Sequence, residues 1–197
     1  MANKDAAFGF RPVRHLSGGE IKRSEYDIAA NYGTAIYKGQ AVKAVTAGGV
    51  EAAAAGNVVL GIFYGCFYTD PTTNKPTWSN HYPASTNASD IKAYVYDDPR
   101  IVFEVQHDGT GTEAMNFGGF DLVGTSGSTL TGASSQELDT STVTTAGQFK
   151  QIGISVDPDN SDTSADNCNA YVVPNTGEHT WLLTTALAVS YTHLRAH

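Results

Sequence analysis

The chain has 197 residues, a net charge of −8 from 12 basic and 20 acidic residues, and 20 glycines. This length suits one large or two small domains, and few charges with many Gly, Ser, Thr and Val residues favour β-structure over helix. No apolar run approaches the ~20 residues of a membrane span, and the acidic balance argues against nucleic acid, so we expect neither a membrane nor nucleic acid as a partner. The opening MANKD has no apolar signal region, so no secretion signal is expected.

Residues 1–28 are predicted to form an extended N-terminal arm. The motif FGFRPV at residues 8–13 places two aromatic side chains, Phe8 and Phe10, on one face of an extended segment, where they are free to lie on a neighbouring molecule or on the body of the protein. The first 25 residues contain five basic and three acidic residues, which leaves 7 basic and 17 acidic residues for the remainder. A mildly basic arm on an acidic body fits docking onto an acidic protein surface. We expect residues 1–9 to be poorly ordered in isolation, and removal of residues 1–14 to leave the barrel folded.

Residues 29–106 are predicted to form a β-barrel core of short strands joined by glycine turns. Residues 41–45 alternate in the manner of a half-buried strand, and Gly48-Gly49 supplies a turn. The most apolar run lies at 58–68, and further strands are predicted at 91–96 and 101–106. The whole is therefore predicted to be mainly β, a β-barrel or β-sandwich with short strands and long loops.

Residues 107–187 are predicted to form a Gly/Ser/Thr-rich β lobe, either separate or packed on the same core. Strands are expected at 149–156 and 169–173, and a surface excursion at 126–139 with Leu130 and Leu138 as its apolar anchors. No apolar period of 3.6 residues persists beyond about two turns, so helices are at most short.

Motifs for catalysis or metal binding are incomplete in this sequence. Residues 124–128 miss the nucleophile pattern G-x-S-x-G by one position, and the acidic loop that begins at Asp157 lacks the glycine and the glutamate of a calcium loop. His81 and His107 would form a metal pair only if folding brought them together. Cys66 and Cys168 lie outside any CxxC pair and are expected to be reduced, buried thiols. We therefore expect no enzyme activity, no cofactor and no metal.

The end of the chain resembles a translated sequencing adapter. Residues 189–197, VSYTHLRAH, can be encoded by a nucleotide sequence similar to a transposase-type sequencing adapter. We expect residues 188–197 to be an adapter-derived tail, with a codon for Ala188 that combines gene and adapter sequence. The gene is then expected to be truncated near Leu187. His193 and His197 are then not expected to bind metal despite their i, i+4 spacing.

Three motifs of the predicted core resemble a known family. YKGQAV (37–42), GVE (49–51) and AGNVVLGIF (55–63) are together similar to the head-decoration (cement) proteins of tailed bacteriophages. FGFRPV also resembles virion structural proteins of marine phages. This resemblance implies a β-barrel or sandwich on the outside of an icosahedral shell, with the major capsid protein as partner, and a homo-oligomer, trimer favoured. The chain would be made in the bacterial host cytoplasm and would be located on the capsid surface of the virion.

The resulting hypothesis is a non-enzymatic virion protein that decorates and stabilises the capsid. Its expected interface consists of Phe8, Phe10, Arg11 and Arg14 of the arm, with Phe63, Phe67 and Tyr68 of the barrel edge. The alternative is a tail- or fibre-associated module that binds a cell-surface glycan through Trp78 and Tyr82. An aromatic set including these residues has the chemistry to stack sugars or bases, although a role in core and interface is favoured. A virion-associated hydrolase would need a nucleophile–base or metal pattern that the sequence lacks.

Overall fold

A computed structural model of the chain describes residues 2–124 and 126–183. Within these ranges the chain forms short strands and three single-turn 3-10 helices, so the mainly β fold predicted from the sequence is confirmed. The strands are β1 (Arg11–His15), β2 (Ser24–Asp27), β3 (Ile36–Tyr37), β4 (Ala41–Ala44), β5 (Val50–Ala52), β6 (Gly61–Thr69), β7 (Pro76–Ser79), β8 (His81–Tyr82), β9 (Lys92–Tyr96), β10 (Ile101–Gln106), β11 (Gly119–Phe120), β12 (Leu122–Val123), β13 (Glu137–Leu138), β14 (Phe149–Ile154) and β15 (Asn169–Pro174). The 3-10 helices are Glu113–Met115, Thr140–Thr142 and Thr180–Leu182.

Two antiparallel sheets pack in a sandwich-like arrangement. Sheet I has the order β1-β10-β15-β14-β11. Sheet II has the order β2-β9-β6-β4-β5, and β7 pairs with the C-terminal half of β6. The pairs β12-β13 and β3-β8 form small ladders of their own. The described strands close no barrel, so the sandwich is the better description of the two predicted architectures.

Around β4 and the start of β6, sheet II is buried on both faces, because these strands direct alternate apolar residues into two clusters. Ala41 and Ile62 lie in the first cluster, which they share with Phe103 of sheet I. Their chain neighbours Val42 and Phe63 lie in the second cluster, which the β3-β8 ladder helps to close. Each fully buried side chain of this size contributes roughly 1.5–3 kcal/mol, so these clusters dominate the stability of the sandwich.

The N-terminal segment is part of the sandwich. Residues 1–28 are therefore not a separate arm, and of the two positions open to Phe10 the one observed is on the body of the protein. Phe10 is 1% exposed, stacks on Phe149 with ring centroids 4.3 Å apart, and meets Phe103 edge-on at 6.5 Å. β1 pairs antiparallel with β10 as an edge of sheet I, and β2 belongs to sheet II. Burying an aromatic ring of this size in the chain's own core lowers the free energy of the protein more than leaving the ring exposed for a partner.

Two glycines allow the N-terminal segment to enter the core. Gly9 and Gly39 have φ angles of 71° and 86°, and a Cβ atom on Gly9 would lie 2.6 Å from the Gly39 carbonyl oxygen. The Phe10 N–H donates a hydrogen bond to that same oxygen at 2.8 Å. Only residues without a Cβ allow two backbone segments to cross this closely with positive φ.

Residues before Phe10 are also held by the body of the protein. The Gln106 side-chain amide donates to the Lys4 carbonyl at 2.9 Å and accepts from the Ala6 N–H at 3.0 Å. The Asn160 amide donates to the same Lys4 carbonyl at 2.8 Å. These contacts order the segment that we expected to be poorly ordered.

The boundary predicted between residues 106 and 107 does not separate two units. β10 from the predicted core pairs with β15 from the predicted lobe, with Phe103 opposite Val172. Sheet I thus combines residues 11–15 with residues 101–174, and sheet II consists of residues 24–96. Of the two alternatives for the lobe, packing on a shared core is the one observed.

Two residues predicted for a subunit interface are core residues instead. Phe63 and Tyr68 are buried in the second cluster, together with Cys66, and Phe67 alone of this segment is exposed, at 39%. A β-bulge between Phe63 and Gly65 shifts the alternation of β6, which places Cys66 and Tyr68 on the same buried face as Phe63. The two predicted anchors of the 126–139 excursion also differ, because Leu138 is fully buried and Leu130 is 95% exposed.

The predicted tail at 188–197 and the expected truncation near Leu187 lie outside the described residues. Across residues 2–124 and 126–183, no helix has the length and apolar character to cross a membrane.

Phe10→Ala is expected to lower the free energy of unfolding by about 3–5 kcal/mol, because it removes the ring between Phe103 and Phe149 and leaves a cavity. Deletion of residues 2–14 removes the same ring and β1, so we expect the shortened protein to unfold instead of keeping its core. Urea denaturation followed by circular dichroism measures both changes. Leu130→Ala is the control and should change the free energy of unfolding by less than about 0.5 kcal/mol. If the urea midpoint of Phe10→Ala equalled that of the wild type, the placement of the N-terminal segment in the core would be contradicted.

Candidate functional site

Five aromatic side chains lie along one face of sheet II near its edge at β7. We call this set the aromatic face; it consists of Tyr64, Phe67, Trp78, Tyr94 and Tyr96. Alternation along β9 places Tyr94 and Tyr96 on this face, while the residues between and before them enter the second cluster. Phe67 pairs with Trp78 across β6 and β7. Tyr96 packs against the first cluster, whereas Trp78 is 45% exposed, so the face runs from the core to solvent.

Trp78 is held in place by a glycine and two tyrosines. A Cβ atom on Gly65 would lie 2.6 Å from the Trp78 ring, so the indole rests directly on the backbone of β6. The Trp78 ring lies 5.7 Å from that of Tyr64 and 5.3 Å from that of Tyr94, and Tyr64 lies 5.7 Å from Tyr96 edge-on. These spacings are typical of favourable aromatic pairs. An exposed indole is thus fixed without being buried.

Two cations lie against the aromatic face. The guanidinium of Arg23 lies 4.2 Å from the centroid of the Tyr64 ring, and Lys38 Nζ lies 5.0 Å from it. Neither side chain forms an ion pair with any described residue. Cation–π contacts of this kind contribute about 0.5–1 kcal/mol at exposed sites and leave the positive charge available to an anion.

Three clefts surround Trp78 and Tyr64. A cleft of about 570 Å³ lies between the segment 20–23 and the rings of Trp78 and Tyr94. A second cleft, of about 440 Å³, lies between the N-terminal segment and Tyr64. A third, of about 260 Å³, lies between β7 and the loop 129–132. Trp78 of β7 lines the first and third clefts, and Asn80, which follows β7, lines the second and third, so the third cleft adjoins both of the others.

The structure brings some of the sequence-predicted residues to this region. Phe8 and Arg11 line the second cleft, where the Arg11 guanidinium lies 4.5 Å from the Phe8 ring centroid. Phe67 belongs to the aromatic face. Arg14 is exposed on β1, and it lines none of the three clefts. Phe10, Phe63 and Tyr68 are structural, as described above.

Tyr82, predicted to hold a glycan, is a core residue. Its side chain is fully buried, and its hydroxyl donates to the Tyr32 carbonyl at 3.0 Å. Conversely, Tyr94, Arg23, Lys38 and Asn80 contribute to the region without having been predicted. Alternation in residues 92–96 was a usable signal for Tyr94, because it separates Lys92, Tyr94 and Tyr96 from the apolar Ala93 and Val95.

His107, Cys66 and Cys168 are buried in the core. His107 is buried between the Cys168 carbonyl and the Gln151 side chain, each 2.9 Å away, and burial lowers its pKa. Burial raises the pKa of the Cys66 thiol to about 12, so that thiol is a poor nucleophile. His81 stacks instead on Tyr37 at 5.8 Å. No group of three or more His, Cys, Asp or Glu side chains suited to a metal occurs in residues 2–124 and 126–183.

Among the described carboxyl groups, that of Glu137 has the pKa most clearly shifted by its surroundings. Burial, and then the negative charges of Asp5 and Asp108, raise its pKa to about 7. Three carboxylates thus share this region of the surface next to β13.

Comparisons with known protein families, with curated proteins and with solved structures find no match to this chain.

Glu137→Gln is expected to stabilise the protein at pH 8 and to leave its stability unchanged at pH 4.5. The folded protein favours the protonated carboxyl, so the wild type loses stability as the pH rises from the ordinary pKa of 4.5 toward about 7, whereas glutamine has no proton to lose. Melting temperatures at the two pH values measure the difference. Glu113→Gln, at an exposed position, is the matched control and should shift neither. If Glu137→Gln changed the melting temperature equally at both pH values, the raised pKa of Glu137 would not be the cause of the change.

Proposed function

We propose that this chain is a non-enzymatic structural protein of a tailed-phage virion that attaches to the outside of the capsid. Its partner is the major capsid protein, and it assembles as a homotrimer. The proposal is supported by the motifs at residues 37–63, which are similar to those of decoration proteins, and by a β-sandwich that presents exposed apolar side chains. A decoration protein of this kind needs a rigid body with a docking surface and needs no chemistry.

The observation that carries the proposal is the exposed apolar and cationic surface along β1. Val13 and Leu16 are 39% and 50% exposed, and Arg14 lies between them without an ion-pair partner among the described residues. We call Val13, Arg14 and Leu16 the β1 surface. Apolar side chains around a single cation match an acidic, partly apolar protein surface.

The β1 surface uses side chains for docking and not backbone pairing. β1 is an edge strand, but Pro12 lacks an N–H group and the strand bulges between Pro12 and Arg14. Both features discourage a further strand from pairing there.

Lys4 and Arg11, the basic residues that precede Arg14, contact the chain's own carboxylates. Lys4 pairs with Asp159, and Arg11 Nη2 lies 2.6 Å from the buried carboxylate of Glu104. The Glu104 carboxylate also accepts from Ser155 at 2.6 Å, so it is fully engaged inside the protein. Arg14 is therefore the cation of β1 that remains for a partner.

Attachment at this surface would stabilise the shell by mass action. A protein that binds the assembled capsid and not its dissociated subunits lowers the free energy of the assembled state in proportion to the logarithm of its concentration.

The alternative proposal is a tail- or fibre-associated module that binds a cell-surface glycan. The exposed Trp78 favours it, and the burial of Tyr82 removes that residue from it. The two proposals use different surfaces of the molecule, so variants can separate them.

The double variant Arg14→Glu/Leu16→Ser should abolish co-sedimentation with empty capsids purified from the phage that encodes the chain. It reverses the charge of the β1 surface and removes an apolar contact, yet both positions are exposed and the fold should be kept, as circular dichroism will show. Phe117→Ser, at an exposed aromatic far along the chain, is the matched control and should still saturate capsids. Retention of full capsid binding by the double variant would refute attachment through β1.

A further inference from the structure

We infer that the clefts around Trp78 form a binding site for an acidic oligosaccharide, a sugar chain that carries carboxylate groups. This inference goes beyond capsid attachment, because the aromatic face and the β1 surface share no residue.

The first element of the site is the fixed indole. Trp78 is 45% exposed although it packs on Gly65, Tyr64 and Tyr94. An aromatic ring held in one orientation offers a flat apolar surface to the C–H face of a pyranose ring and loses little side-chain entropy on binding. Clefts on two sides of this ring, lined in common by Trp78, would accept successive sugar units.

The second element is a set of small polar groups beside the ring. Asn80 lines two clefts, and its amide makes no side-chain hydrogen bond within the described part of the chain. An amide offers a donor and an acceptor together, which suits the vicinal hydroxyls of a sugar. Thr129 and Thr131 add hydroxyl groups to the third cleft.

The third element is positive charge. Arg23 and Lys38 lie against Tyr64, and neither is neutralised by a described carboxylate, in a chain whose net charge is −8. Arg23 lines the first cleft and Lys38 the second. Glu20 and Lys22 also line the first cleft and form an exposed pair 3.5 Å apart. Cations retained on an acidic protein favour an anionic ligand, and guanidinium groups bind carboxylates well.

Cleft size and shape favour a sugar chain over a protein partner. The two larger clefts fall within the range of about 300–1,000 Å³ that is typical of small-ligand sites. Trp78 lines the first and third clefts and Tyr64 lines the second, so the region consists of adjoining clefts. A stable protein interface would instead need about 800 Å² of continuous complementary surface on each partner.

The test is calorimetric titration of the full chain with oligogalacturonate, with neutral dextran oligomers and poly-glutamate as comparison ligands. We expect oligogalacturonate to bind, dextran to bind at least about tenfold more weakly, and poly-glutamate to show no dependence on Trp78. Trp78→Ala should weaken oligogalacturonate binding at least about tenfold, and Arg23→Gln/Lys38→Gln should weaken it and reduce its salt dependence.

Phe117→Ala, an exposed aromatic outside the three clefts, is the matched control and should bind as the wild type does. Absence of oligogalacturonate binding at millimolar concentration would overturn the inference. Equal affinity for poly-glutamate and oligogalacturonate, or unchanged binding by Trp78→Ala, would overturn it too. The Trp78→Ala variant should co-sediment with capsids as the wild type does. Failure of the oligosaccharide inference can therefore be distinguished from failure of the capsid-attachment proposal.

Discussion

Buried side-chain amides are the interaction on which the rest of this fold depends. Short strands leave long connections that carry backbone groups without ladder partners, and such groups cost about 1–3 kcal/mol each when buried unpaired. Gln148 accepts from the Leu122 N–H at 3.0 Å and donates to the Ala54 and Asn57 carbonyls at 3.0 and 2.6 Å. Gln151 joins His107 to the Thr112 carbonyl in the same way. These amides fix loops from both sheets to one another, so the sandwich behaves as one unit and not as a barrel with an added lobe.

The same principle incorporates the N-terminal segment. Gln106 and Asn160 bind the Lys4 carbonyl, the close crossing of Gly9 and Gly39 turns the chain inward, and Phe10 then fills the first cluster. Phe8 and Arg11 are thereby placed at a wall of the second cleft, facing Tyr64. A segment expected to reach a partner instead shapes the surface beside the aromatic face, and only the outer side chains of β1 remain for docking.

Several strands were predictable because their signals are local. Alternation over residues 41–45 and the apolar run at 101–106 produce β4 and β10 close to the predicted bounds. The placement of Phe10 was not predictable, since FGFRPV reads the same whether its rings enter the chain's own core or a partner's. The bulge of β6 places Cys66 and Tyr68 on the same buried face as Phe63, which simple alternation along the strand does not reveal. Trp78 was identified as a candidate, but its neighbours Tyr94, Arg23 and Lys38 come from distant strands and loops that only the fold brings together.

A rigid sandwich with a side-chain docking edge and a separate aromatic face is consistent with a virion surface protein that also binds sugar, and both depend on the N-terminal segment being part of the core. Hydrogen–deuterium exchange of the intact chain tests this placement most directly. We predict that the Phe10 amide, bonded to the Gly39 carbonyl, and those amides of β1 that donate to β10 are protected from exchange, as the amides of β10 are. Exchange of residues 2–15 at the rate of an unstructured peptide, with β10 still protected, would contradict the account.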